Sequence, residues 1–146
     1  MTVTVALLGT GLLGSAIASR LLAVGCSLRI WNRDRARCEP LIASGAQGFD
    51  DPAQAIAGAS TVITVLRDGP VTSEVVTSLG ALNQSCVMPM GTMGISESVA
   101  LETQVQIRVV FILKPLCWAA VLKRWQAGCW SWQAVIRRCL ISSALF

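Results

Sequence analysis

Short apolar runs alternate with longer amphipathic stretches up to about residue 106. The apolar runs end in small or polar residues, a pattern typical of buried parallel strands. They predict strands at residues 3–8, 27–31, 46–49, 61–66 and 86–90. The stretches between them have apolar residues at helical spacing and predict helices at residues 12–23, 35–44, 51–59, 69–79 and 96–106. This alternation predicts an α/β fold with a doubly wound parallel sheet.

A G-x-G-x-x-G spacing follows the first predicted strand and opens the first predicted helix. Its residues are Gly9, Thr10, Gly11, Leu12, Leu13 and Gly14. Gly9 permits a tight turn, Gly11 lets a pyrophosphate approach the backbone, and Gly14 allows the helix to pack closely on the strand. Free N–H groups at the helix start would face the phosphates. The motif predicts a Rossmann-type dinucleotide-binding unit from residue 3 to about residue 92.

The end of the second predicted strand indicates which dinucleotide binds. Enzymes that use NAD usually place an acidic residue there, which accepts hydrogen bonds from the ribose hydroxyls. Here the position is the neutral Asn32, and three arginines follow it, Arg33, Arg35 and Arg37. Arg33, with Arg35 or Arg37, could grip a 2′-phosphate bidentately, which predicts NADP as the cofactor. The alternative is a solvated loop whose arginines pair with Asp34 and Glu39.

Composition supports a globular protein but divides the chain into two parts. Hydrophobic residues make up 53% of the 146 residues and charged residues 14%, which argues against disorder and nucleic-acid binding. Up to residue 102, six arginines against eight acids give a formal charge of −2. The residues after it carry six basic side chains, no acid and four of the five tryptophans. We predict a dinucleotide-binding domain at residues 1–108 and a compositionally foreign tail at residues 109–146.

The cysteines predict neither disulfides nor a metal site. Cys26, Cys38 and Cys86 fall in or beside predicted core elements without a C-x-x-C pair, and the chain has no histidine. Reduced thiols of this kind suit a cytoplasmic protein. The start of the chain lacks the positive region of a signal peptide, and no uncharged apolar run approaches the roughly 20 residues of a membrane span. We therefore expect no membrane partner.

The chain resembles the β-hydroxyacid dehydrogenases, the group of 3-hydroxyisobutyrate dehydrogenase, glyoxylate/succinic semialdehyde reductases and 6-phosphogluconate dehydrogenase. Beyond the glycine motif, the resemblance rests on Trp31-Asn32-Arg33, Val65-Leu66-Arg67-Asp68 and Met90-Gly91-Thr92-Met93-Gly94. It implies that Val65 and Leu66 pass under the cofactor and that Thr92 lies on the nicotinamide side. Pro89 departs from the family pattern, and because proline lacks a ladder N–H we expect the fifth strand to be weak.

We find no family motif after Arg108. Members of the family continue with a glycine-rich substrate loop and an all-helical domain that carries a catalytic lysine. Moving the reading frame back by one base lets the codons from Arg108 onward read as a sequence similar to the start of that continuation, with the substrate loop and the strand after it. We therefore interpret residues 109–146 as frameshifted. The alternative is a divergent amphipathic tail or an interaction segment with cation–π pairs.

These observations lead to two hypotheses about function. The first is the NADP-binding domain of an oxidoreductase that transfers a hydride between NADP(H) and a small hydroxy acid or semialdehyde. Because no residue here can be assigned the role of the family's lysine, we expect this chain to be inactive on its own. The alternative is a stand-alone nucleotide-binding or regulatory module without catalysis.

Overall fold

The computed structural model of the chain describes residues 3–80, 82 and 85–105. Within these residues five strands alternate with five α-helices. The strands are β1 (Thr4–Leu8), β2 (Ser27–Trp31), β3 (Gln47–Phe49), β4 (Thr61–Thr64) and β5 (Cys86–Pro89). The helices are α1 (Leu12–Ala23), α2 (Glu39–Ala43), α3 (Pro52–Ile56), α4 (Gly69–Ser78) and α5 (Ile95–Val105). The predicted tail and its boundary at Arg108 lie outside the described residues.

The strands form one parallel sheet in the order β3-β2-β1-β4-β5. Leu7 in β1 is paired with Ile30 on one side and Ile63 on the other. The chain first adds strands on one side of β1 and then crosses to add β4 and β5 on the other. Crevices for ligands form where the strand order reverses in this way, outside the carboxyl ends of the strands. The predicted Rossmann-type α/β sheet is confirmed, and its switch point lies between β1 and β4.

Side chains of β1 alternate between the two faces of the sheet and are buried on both. Ala6 and Leu8 face a hydrophobic cluster to which α3, α4 and α5 contribute Ala55, Val76 and Leu101. Leu7 faces the opposite side, where α1 packs so closely that a Cβ on Gly14 would lie 3.7 Å from the Leu7 side chain. Helices therefore cover both faces, as the near-continuous apolar run of β1 predicts.

The helix predicted at residues 35–44 is interrupted. A 3-10 turn, Arg35–Cys38, precedes the short helix α2. Pro40 has no N–H with which to continue an α-helical ladder, and Glu39 instead donates to the carbonyl of Ala36, three residues earlier. The turn is closed at its start by Asp34, whose side chain accepts from the N–H of Ala36 at 3.2 Å.

The expected weakness of β5 is not present. The N–H groups of Cys86 and Met90 donate to the carbonyl oxygens of Ser60, directly before β4, and Thr64 at 3.0 and 2.8 Å, and the pairing register runs over all of β5. Because successive N–H groups of a strand point to opposite sides, Pro89 stands where an N–H would point away from β4. The missing donor therefore removes no bond from the β4–β5 ladder.

Cys26, Cys38 and Cys86 form no disulfide. Among the residues that the structure describes, none of the helices combines the length and the hydropathy that crossing a bilayer requires.

Candidate functional site

Three connections converge at the carboxyl edge of the sheet, after β1, β4 and β5. The backbone between β4 and α4 is wedged between the other two. A Cβ on Gly9 would overlap the carbonyl oxygen of Val65, and a Cβ on Gly91 would lie 2.5 Å from the carbonyl oxygen of Leu66. The structure thus brings the predicted residues Gly9, Val65 and Leu66 together, and it places Thr92 exposed on the third connection.

Gly9 makes the turn from β1 into the loop. Its φ of +103° lies in the region that favours glycine, and its N–H donates to the carbonyl oxygen of Trp31 at 2.8 Å. This bond ties the glycine loop to the end of β2. Gly14 serves the packing role predicted for it, because a Cβ there would overlap the carbonyl oxygen of Gly9.

Gly11 differs from both. Its φ of −68° is open to any residue, and a Cβ built on it meets nothing within 4 Å. Neither the backbone nor the packing of the protein therefore requires glycine at this position. Because Gly11 has no side chain, the space at the start of α1 is open.

The N-terminus of α1 is uncapped. Gly11 provides no side-chain hydrogen bond, and the first helical bond runs from the N–H of Ser15 to the carbonyl of Gly11. The preceding N–H groups of the first turn, those of Leu12, Leu13 and Gly14, have no α-helical acceptor. The Leu12 side chain is 97% exposed beside them. By contrast, α3 and α4 are capped by Asp51 and Asp68.

Asn32 holds the glycine loop in place from the end of β2. Its Oδ1 accepts from the backbone N–H of Thr10 at 3.1 Å, and its Nδ2 donates to the carbonyl of Asp34 at 2.9 Å. The Thr10 side chain is buried, with its Oγ1 3.7 Å from the Sγ of Cys38. Thr10 is thus engaged through both its N–H and its hydroxyl, and it shapes the loop from within.

Two of the three arginines after β2 are paired with nearby carboxylates. The pairs are Arg35 with Asp50 and, at 3.8 Å, with Glu39, and Arg37 with Asp34 at 3.4 Å. Hydrogen bonding to Asp50 and its charge raise the pKa of Arg35. Arg33 is exposed and forms no ion pair with any described residue. The solvated-loop alternative therefore describes Arg35 and Arg37 but not Arg33.

Asp68 and Glu97 are polar residues of this edge whose roles we did not predict. The Oδ1 of Asp68 accepts from the N–H of Val71 at 3.0 Å and caps α4, while its Oδ2 accepts from the Nε of Arg67 at 2.8 Å. The backbone bond and then the Arg67 bond lower the pKa of Asp68.

Glu97 braces the connection that carries Thr92. One of its carboxylate oxygens accepts from the N–H of Gly94 at 2.7 Å, and the carboxylate fills the space beside Gly69 at the start of α4. The spacing of Gly94 and Glu97 is half of a capping box, a local signal that was available in the sequence.

No group of three metal-ligating side chains occurs in the described part of the chain. The candidate site combines backbone N–H groups, open space at Gly11 and arginine side chains. This combination suits a phosphate-bearing ligand.

Comparisons with known proteins agree with this geometry. Residues 4–114 match the family model of the NAD binding domain of 6-phosphogluconate dehydrogenase, a match that extends past Arg108. Glyoxylate/succinic semialdehyde reductase 2 of Arabidopsis thaliana is 34% identical over 67 residues, which are 46% of this chain and 19% of that protein.

Solved structures show the same fold. An imine reductase from Pseudomonas sp. matches with a TM-score of 0.66 at 26% identity, over 73% of this chain and 39% of that one. The 3-hydroxyisobutyrate dehydrogenase of Mycobacterium tuberculosis matches with a TM-score of 0.69 at 23% identity, over 73% and 37%. The chain thus spans about a fifth of the reductase and less than two fifths of these structures.

Proposed function

The chain belongs to the family of the NAD binding domain of 6-phosphogluconate dehydrogenase, and we propose that within this family its site prefers NADP(H) to NAD(H). The observation that carries the proposal is that Arg33, directly after the neutral Asn32, forms no ion pair within the described part of the chain. An NAD site usually offers a carboxylate here to the ribose hydroxyls. Asn32 has instead turned both ends of its amide towards the backbone.

The acids around Arg33 are engaged by its neighbours. Arg37 pairs with Asp34, and Arg35 pairs with Asp50 and Glu39. These pairs leave the guanidinium of Arg33 available to a dianionic 2′-phosphate, which an arginine can grip with two parallel hydrogen bonds. Arg37 stands close enough in sequence to supply a second contact if it leaves Asp34.

The remaining predicted residues accommodate the rest of the dinucleotide in this proposal. The pyrophosphate takes the open space at Gly11 and accepts from the free N–H groups at the start of α1. Val65 and Leu66 lie under the nicotinamide half, and Thr92 lies beside it. The described residues would then bind and orient the cofactor and shield one face of it from water.

The reaction of the whole protein is also a proposal. The resemblance to glyoxylate/succinic semialdehyde reductase supports hydride transfer between NADP(H) and a small hydroxy acid or semialdehyde. We assign no catalytic residue, because the general acid implied by the resemblance is a lysine and Lys114 and Lys123 both lie outside the described residues. Cofactor binding without turnover is the expected behaviour of this chain.

Substitution of Arg33 tests the cofactor preference. Arg33→Ala is expected to weaken NADPH binding by roughly 1.5–3 kcal/mol, the contribution of a charge-assisted contact, and to leave NADH binding nearly unchanged. Affinities would be measured by fluorescence titration of the full chain with each cofactor. Arg20→Ala is the matched control, because it removes an exposed arginine from the last turn of α1, at the opposite edge of the sheet. Equal weakening of both cofactors by Arg33→Ala would exclude a 2′-phosphate contact.

A further inference from the structure

Arg67 is a second arginine at the carboxyl edge that the proposed function does not use. It follows Leu66 on the connection between β4 and α4, and its side chain is 80% exposed. Its Nε donates to the Oδ2 of Asp68, and its two terminal nitrogens have no partner among the described residues. The guanidinium is therefore held at one corner while its outer edge stays open.

The anchor of Arg67 is itself fixed. Asp68 caps α4 through its other carboxylate oxygen, at 3.0 Å from the N–H of Val71. Because one oxygen of this carboxylate accepts from the helix N–H and the other accepts from the guanidinium, rotation of the carboxylate would break both hydrogen bonds. The Nε of Arg67 is thereby held beside the start of α4, while most of the side chain is exposed.

Arg67 and Arg33 flank the glycine loop from opposite sides. In the sheet β1 lies between β2 and β4, and neighbouring strands are about 4.8 Å apart. Arg33 follows β2, and Arg67 follows β4, whose connection packs against the loop through Val65 and Gly9. A ligand phosphate at the uncapped start of α1 would lie between the two connections that carry these arginines.

We propose that Arg67 binds the diphosphate of the dinucleotide, a role separate from the 2′-phosphate contact of Arg33. This inference rests on the proposed function, since it requires a dinucleotide at this edge. The N–H groups of the first turn of α1 supply donors on one side of the diphosphate, and Arg67 supplies a charged fork on the other. A substrate carboxylate is the other anion that Arg67 could bind. Binding of the cofactor measured without substrate distinguishes a contact with the diphosphate from a contact with that carboxylate.

The test compares four ligands on the full chain by calorimetry. NADPH and NADH carry the diphosphate within a dinucleotide, ADP carries a diphosphate without a 2′-phosphate, and 2′-AMP carries a 2′-phosphate without a diphosphate. Arg67→Ala is expected to weaken binding of NADPH, NADH and ADP about tenfold and to leave 2′-AMP unchanged. Arg33→Ala is expected to give the other pattern, with weaker NADPH and 2′-AMP and little change for ADP.

Two further variants control for charge and folding. Arg67→Lys keeps the charge but not the fork and is expected to recover part of the loss for ADP. Arg20→Ala removes one positive charge at the opposite edge and is expected to bind all four ligands as the wild type does. Because Arg67 is largely exposed, the melting temperature of its variants should stay close to that of the wild type.

Several outcomes would overturn the inference. Unchanged binding of ADP and both cofactors by Arg67→Ala would exclude a diphosphate contact, and a loss confined to NADPH and 2′-AMP would place Arg67 at the 2′-phosphate. A wild-type chain that binds neither cofactor would instead refute the proposed function. Weaker NADPH binding by Arg33→Ala together with wild-type binding of all four ligands by Arg67→Ala would overturn the role of Arg67 and leave the proposed function standing.

Discussion

The three glycines of the nucleotide loop differ in what a side chain would meet. Gly9 and Gly14 are required by the protein itself, because a Cβ on either would overlap a carbonyl oxygen of a neighbouring segment. Gly11 has an ordinary backbone conformation and open space around its Cα. A motif that reads as one signal in the sequence therefore separates into two residues that fold the loop and one that leaves room for a ligand.

Substitutions at Gly11 and Gly14 are expected to have opposite consequences. Gly11→Val should abolish NADPH binding while the melting temperature stays close to that of the wild type, because the valine occupies only the space of the pyrophosphate. Gly14→Ala is the matched comparison and should destabilise the fold by about 1–3 kcal/mol through overpacking. Titration with NADPH and thermal unfolding measure the two effects. Normal NADPH binding by Gly11→Val would show that the phosphates do not lie there.

Asn32 combines a structural and a selective role that one substitution separates. Asn32→Asp keeps an acceptor for the N–H of Thr10 but loses the donor to the carbonyl of Asp34, which should cost about 1 kcal/mol of stability. The new carboxylate would repel a 2′-phosphate and accept from ribose hydroxyls. We expect the ratio of NADPH to NADH affinity to fall.

Asn32→Ala is the control for this change, because it loses both hydrogen bonds without adding charge. Dissociation constants for both cofactors and unfolding temperatures would be measured for the two variants. A lowered unfolding temperature with an unchanged cofactor ratio in Asn32→Asp would mean that Asn32 supports the loop and does not select the cofactor.

At the level of elements, the helix starts divide into capped and uncapped ones. Asp51 and Asp68 cap α3 and α4 with their side chains, whereas the start of α1 faces the open space at Gly11. Thus α3 and α4 carry their own acceptor. The N–H groups at the start of the helix that opens the candidate site have no side-chain cap and are available to the proposed ligand.

The cap of α4 makes part of the stability dependent on pH. The N–H of Val71, and after it Arg67, favour the charged form of Asp68 and lower its pKa below the ordinary value of 3.8. A group whose pKa is lowered by folding stabilises the fold above its unfolded pKa, and this contribution is lost as the pH falls through the folded pKa.

Asp68→Ala is therefore expected to unfold at a lower temperature than the wild type at pH 7, and the difference should shrink below about pH 4. Thermal unfolding at a series of pH values measures it. Asp68→Asn is the control, since it keeps a capping oxygen but no charge, and its deficit should be smaller at neutral pH. A deficit for Asp68→Ala that is the same at pH 3 and pH 7 would contradict a role for the charge.

The sequence was sufficient for elements whose ends are marked by local chemistry. The bounds of α1 and β2 were predicted to the residue, because Gly11 stands before the helix and Gly25, with a φ of +78°, after it. The start of α3 was found from Asp51 and Pro52 for the same reason. The apolar pattern alone was misleading at residues 35–44, where it predicted one continuous helix. Pro40 interrupts that helix, and a 3-10 turn precedes α2.

The errors and omissions arise from contacts distant in sequence. Val65 and Leu66 are apolar and were assigned to the fourth strand, but β4 ends at Thr64, and they pack between the loops of Gly9 and Gly91. The bond from Thr10 to Asn32 spans 22 residues and has no sequence signature. Motif spacing therefore located the candidate site, whereas the contacts that hold its loops required the structure.

At the level of the whole molecule, charge is distributed unevenly along the chain. The residues up to Glu102 carry all eight acids, and the residues after it carry both lysines and four of the tryptophans. The family match reaches residue 114, which places the end of the resemblance near the same region. The domain boundary at Arg108 and the frameshift remain predictions, because the described residues end at 105.

The DNA that encodes residues 103–146 tests the frameshift directly. Because a one-base shift regroups every codon, acids can disappear together and tryptophans can appear together, as they do after Glu102. Read one base back from about the codon of Arg108, the DNA is expected to encode a glycine-rich substrate loop and the strand that follows it in the family. Tryptophan codons end in G, so in the shifted frame the codon that follows each tail tryptophan must begin with G. The same frame read upstream of Thr103 is the control, since there it should show no family pattern. Stop codons soon after Arg108 in the shifted frame, or no resemblance in it, would contradict the frameshift and favour a stand-alone nucleotide-binding module.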